Sequence, residues 1–71
     1  MRHPIDVRFG QRLKAARHKR RLSQSNLADE CGVSFQQIQK YESGSNRVSV
    51  SRLVEMAHCL GVKPEDLVRG L

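Results

Sequence analysis

Leu22–Gly44 reads LSQSNLADECGVSFQQIQKYESG, and this stretch decides the fold. Ser23 is a good N-cap, and Leu27, Ala28 and Cys31 follow on one helical face until Gly32 stops the run. Leu22, just before the cap, is placed to staple back onto that face. A second helix opens at Ser34, where Ser34 and Gln37 match the capping box S-x-x-Q. Ile38 and Tyr41 form its apolar side, and Gly44 ends it. The turn between the two is Cys31-Gly32-Val33-Ser34, in which Gly32 supplies the left-handed backbone that a tight connection needs. Ala28 is small where the two helices approach. Each helix is apolar on one side only, so the second presents a polar face outward.

Upstream, the spacing predicts a helix over about Ile5–Arg20. Phe9, Leu13 and Ala16 make its apolar stripe, and Arg8, Arg12, Lys14 and Lys19 fall mostly off it. Downstream, a fourth helix is expected over Val48–Leu60, capped by Ser49, with Leu53, Met56, Ala57 and Leu60 inward and Gly61 closing it. A short fifth helix follows, with Pro64 first and Glu65 and Asp66 in its first turn, the favoured order at a helix start. Strand alternation, repeats and linkers are absent. The expectation is an all-α, five-helix fold in one domain over 1–71, with its core at about 9–67.

A chain of 71 residues buries only a thin core, so its function belongs on its surface. Thirteen Lys and Arg against seven Asp and Glu give a formal charge of +6, which suggests a polyanionic partner. Eight of the thirteen lie in Arg2–Arg21, where Asp6 is the sole acid. The competing reading of that charge is a solvated helix face. Cys31 and Cys59 sit in apolar helical contexts and behave as small hydrophobes. They lack metal-ligand spacing, as do His3, His18 and His58, so no metal or other cofactor is expected. Paired carboxylates, a nucleophile–base set and a phosphate-cradling Gly loop are missing, which argues against an enzyme. Met1–Gly10 lacks the apolar run of a signal peptide, and no stretch approaches membrane-spanning length. The expected location is cytoplasmic, with no membrane and no small-molecule ligand implied.

Two short helices joined by a tight turn, the second facing outward, make the arrangement of a DNA-binding helix-turn-helix. The chain resembles the Cro- and phage-repressor-type helix-turn-helix family, also called the xenobiotic-response-element type. The resemblance rests on Arg17, then Leu22-Ser23-Gln24, Leu27-Ala28, Gly32-Val33-Ser34, Ile38, Tyr41-Glu42 and Gly44, with Ala57…Leu60-Gly61-Val62 fitting the fourth helix. It covers about Phe9–Leu67. It implies that helices 2 and 3 form the helix-turn-helix and that helix 3 lies in the DNA major groove. By position it places Gln24 near a phosphate at the start of helix 2, and Ser34, Phe35, Gln36 and Lys40 where bases are read or the backbone is gripped. Gln36 suits adenine, and Lys40 suits guanine or a phosphate. Phe35 departs from the polar residue often found there. It either packs on a thymine methyl group or belongs to a protein contact. Gln39 is either solvated or at the sugar–phosphate edge, and Asn46 and Arg47 flank the backbone from the next loop. The resemblance further implies an internal salt bridge between Arg17 and Glu42.

The function so implied is sequence-specific binding of double-stranded DNA by a transcriptional regulator, as a homodimer on a palindromic operator. Helix 5 and the tail, with Val62, Leu67, Val68 and Leu71, are the expected interface between copies; core closure is an equal role for Leu67. The alternative is a protein-interaction module of the same fold, an antitoxin or a transcriptional bridging factor.

Overall fold

A computed structural model describes residues 2–71. Its five α-helices are α1 (Pro4–Lys19), α2 (Gln24–Cys31), α3 (Phe35–Ser43), α4 (Val50–Leu60) and α5 (Pro64–Val68), with no strand among the described residues. Serines start three of the helices. The hydroxyls of Ser23, Ser34 and Ser49 accept the backbone N–H groups of Asn26, Gln37 and Arg52 at 3.0, 3.1 and 3.2 Å, which satisfies donors that have no intrahelical acceptor. At Ser34 this is the serine half of the expected box. Because Ser49 is the cap, α4 begins at Val50 rather than at Val48. At α5, Asp66 Oδ2 accepts the Lys63 N–H at 3.1 Å.

Both ends of α1 differ by one residue from the expectation of Ile5–Arg20. Pro4 occupies the first helical position, and His3 caps it by accepting the Ile5 N–H on Nδ1 at 3.1 Å. At the other end Arg21 adopts φ 57°, and the Leu22 N–H turns back to the Arg17 carbonyl at 3.1 Å. A non-glycine residue in the left-handed region carries no simple sequence signal. The stop after α2 is the expected one: Gly32 has φ 66°, and the Val33 N–H closes onto the Ala28 carbonyl at 3.0 Å.

Leu13, Leu27, Ile38, Met56, Leu60 and Leu67 are fully buried and come from all five helices. Burying each contributes about 1.5–3 kcal/mol relative to exposure. Within this arrangement α1 packs on α3 and α5, α2 on α3 and α4, and α4 on α5. The closest approach is between α1 and α3. A Cβ added at Gly10 would lie 2.5 Å from the Tyr41 carbonyl oxygen and closer still to that of Glu42. Gly44, at φ 78°, is bound on both counts, since its Cβ would also meet Val7 Cα at 2.7 Å. These contacts set how α3 stands on the body of the protein.

Candidate nucleic-acid interface

Helix α3 turns Ile38, Tyr41 and Glu42 inward. Its other side carries Phe35, Gln36, Gln39, Lys40 and Ser43, all exposed, with Ser34 exposed at its cap. Gln36 and Lys40 are four residues apart and therefore neighbours on one face. Phe35 is 39% exposed, a large apolar side chain left open at the first turn. This face offers amide, ammonium and aromatic groups, the chemistry that base edges and phosphates accept.

Beneath it lies a closed polar network. Arg17 Nε donates to Glu42 Oε2 at 2.7 Å and Nη2 to Oε1 at 3.0 Å, while Nη1 donates to the Leu22 carbonyl at 2.8 Å. The two side chains are only 7% and 4% exposed. Gln24 Nε2 also donates to Glu42 Oε1, at 3.0 Å. No buried side-chain nitrogen or oxygen among the described residues lacks a partner. Glu42 thus ties α3 to α1 and to the first residue of α2, by bidentate geometry that fixes angle as well as distance. The Gln24 side chain is engaged inward by this bond. What α2 offers outward at its start is the backbone N–H groups of Gln24 and Ser25, which have no acceptor within the helix.

The loop after α3 is held locally. Asn46 is half-buried, and its N–H reaches the Lys40 carbonyl at 3.4 Å. The Ser43 and Ser45 hydroxyls lie 3.0 Å apart. Arg47 is exposed and donates through Nε to Asp6 Oδ2 at 3.2 Å and Oδ1 at 3.4 Å. An exposed pair of this kind contributes about 0–1 kcal/mol, so it orients Arg47 without withdrawing its outer nitrogens. Sequence reasoning missed this pair and the Gln24–Glu42 bond, because partners 41 and 18 residues apart share no local pattern.

The two cysteines meet where α2 ends against α4. Cys59 Sγ donates to the Glu30 carbonyl at 3.6 Å. Burial pushes the Cys31 thiol up to about 12, and the neighbouring Cys59 adds to the shift. Among the described residues no group of three or more His, Cys, Asp or Glu is placed to hold a metal ion, and no helix is long and apolar enough to cross a membrane.

With this geometry in view, known proteins supply a context. A family model described as helix-turn-helix, HTH_3, matches residues 13–67. An uncharacterised transcriptional regulator in the ATPase CF(0) region of Rhodospirillum rubrum is 49% identical over 72 residues, covering 96% of this chain and 67% of that protein. An HTH-type transcriptional regulator of Sinorhizobium medicae is 45% identical over 60 residues, and there the match spans only 43% of the relative's length. Among solved structures, the restriction-modification controller protein C.AhdI of Aeromonas hydrophila superposes with a TM-score of 0.83 at 34% identity, over 86% of this chain and 92% of that one. The clp gene regulator ClgR of C. glutamicum has the same fold, with a TM-score of 0.90 at 24% identity over 96% of this chain and 87% of its own. With its all-α fold, its α2–turn–α3 unit and a family match over most of its length, this chain belongs to the helix-turn-helix family HTH_3.

Proposed function

We propose that this chain is a sequence-specific reader of double-stranded DNA in a transcriptional regulator, working in the cytoplasm as a pair of identical copies on a palindromic site. The relatives named as transcriptional regulators support the general activity. The single observation that carries the reading is the exposed polar face of α3, braced from behind by the buried Arg17–Glu42 pair. Gln36 and Lys40 read base edges from that face, with Phe35 beside them on a thymine methyl group. Ser34 and Gln39 grip the adjoining backbone. Gln24 contributes through its main chain at the start of α2, and Asn46 and Arg47 hold phosphate from the loop.

The test is a ratio of specific to non-specific affinity at one fixed salt concentration, on a site selected from random duplexes. Gln36→Ala should lose about 1–3 kcal/mol on the selected site and far less on random DNA, where phosphates supply the affinity. Its circular dichroism should stay helical because Gln36 is exposed. If neither Gln36→Ala nor Lys40→Ala changes the ratio, α3 is not the reading element. A protein-interaction module of the same fold then becomes the better account, with exposed Phe35 as its first contact.

A further inference from the structure

The eight basic residues between Arg2 and Arg21 are not equivalent once the chain is folded. Arg17 is consumed by Glu42. Arg8 Nη2 donates to the Leu71 carbonyl and Arg12 Nη1 to that of Asp66, both at 3.4 Å, and Arg20 Nη1 donates to the Cys59 carbonyl. Their acceptors lie at the end of α4, in α5 and in the tail, so these three arginines answer main-chain carbonyls of the C-terminal part. Arg2, Lys14, Lys19 and Arg21 make no ion pair or side-chain hydrogen bond among the described residues.

Two of those four stand beside α3. Lys14 lines a surface depression with Gln24, Gln39 and Ser43, between α1, the start of α2 and the flank of α3. Glu42 borders it too, but its oxygens already accept from Arg17 and Gln24, so the Lys14 ammonium is not needed to neutralise it. Arg2 lines a second depression with His3, Asp6, Gly44, Ser45 and Arg47, past the C-terminal end of α3. There two guanidinium groups face a single carboxylate, which leaves a net positive charge. Positive depressions at the flank of an exposed polar helix and past its C-terminal end match a duplex, whose phosphates border the groove that such a helix enters.

Building on the proposed DNA reading, we infer that the phosphate backbone is held at two seats beside α3, one at Lys14 and one at Arg2 with Arg47, while Arg8, Arg12 and Arg20 serve the fold. The seats fit phosphodiesters of any sequence, because nothing in them reads a base.

Four variants of the whole chain, each losing one positive charge, test this: Lys14→Gln, Arg2→Gln, Arg8→Gln and Arg12→Gln. Affinity for duplex DNA is measured over a range of salt, and thermal midpoints are taken alongside. Lys14→Gln and Arg2→Gln should each flatten the plot of log K against log salt by about 0.9 and weaken binding on selected and random sequences alike. Arg8→Gln and Arg12→Gln should leave the slope within error and lower the midpoint instead. Equal flattening by all four would overturn the inference, since only the overall charge would then matter. So would unchanged slopes for Lys14→Gln and Arg2→Gln. If those unchanged slopes accompany a wild-type protein whose specificity still depends on Gln36, the seats fail and the DNA reading stands. A wild-type protein with no affinity for duplex DNA sinks both.

Discussion

Arg17 reaches Glu42 across 25 residues of chain, and both are buried where they meet. Glu42 is an acid in a chain of formal charge +6, so on charge alone its loss should ease folding and strengthen the attraction to a polyanion. Burial reverses that expectation for stability. Glu42→Ala strands an arginine side chain that is 7% exposed and removes the acceptor of Gln24. Breaking a buried pair from one side costs about 3–5 kcal/mol, so the thermal midpoint should fall by more than ~10 °C in a domain of this size. An unchanged midpoint would show that the pair does not hold the fold. Cys31 gives a test of a different kind. Its thiol is raised to about 12 in the folded state, so at pH 9 it stays protonated where an unfolded thiol is half or more thiolate. Alkylation at Cys31, followed by mass spectrometry at pH 9, should be much slower in the native protein than in denaturant, and equal rates would contradict the burial. At this scale the sequence was only partly legible. The Arg17–Glu42 pairing came through resemblance, not spacing, and Asp6–Arg47 gave no signal at all.

Single elements were easier to read than their junctions. Serine caps and glycine stops act within four residues, so Ser23, Ser34, Ser49 and Gly32 marked helix ends in the sequence itself. His3 and Arg21 are uncommon choices for a cap and a left-handed turn, so the sequence pattern alone puts both ends of α1 one residue late. Gly10 was opaque because the separation of two helices is not written in the periodicity of either. In an isolated helix Gly10→Ala would gain about 1 kcal/mol from propensity. Here the new methyl group meets main-chain carbonyls of Tyr41 and Glu42, which have no rotamer to retreat into. Overpacking of this sort typically costs about 1–3 kcal/mol, so the net effect should be destabilising. Gly10→Ala should lower the thermal midpoint, whereas Gln11→Ala, on the exposed side, should not. A Gly10→Ala protein at least as stable as wild type would mean that α1 and α3 are not locked together there.

Over the whole molecule, the basic excess pointed toward a polyanion, but counting charges did not show which way they face. Four of the eight cations in Arg2–Arg21 turn to the protein's own acceptors. The apolar surface carries a second message. Val50 is 80% exposed, and Ile5, Val54 and Val68 are about half open; of these, Ile5 and Val68 line a groove with Phe9, Leu53 and Leu71, which Asp6 and Arg47 border on its polar side. If the protein works as paired copies, the α5 and tail side of this groove is where they meet, and Val68→Lys, at an exposed position, should separate them without unfolding either. Sedimentation should then report monomers, and affinity for a full palindrome should fall at least ~10-fold while a half-site is bound as before, given that one turn of duplex links two readers. Loss of half-site binding as well would count against an interface at Val68.

The seating of Gly10 on the carbonyls of α3 reaches past stability. Together with the two-pronged grip of Arg17 on Glu42, it ties α3 to α1 at two places along α1, which resists tilting. On the proposed reading the protein is then a stiff template, and any misfit in the groove must be taken up by bending or twisting of the duplex. The energy of that deformation depends on base steps that no side chain touches. Positions outside the reach of Gln36 and Lys40 would therefore still influence which sites are occupied, through the pliability of the DNA and not through contact.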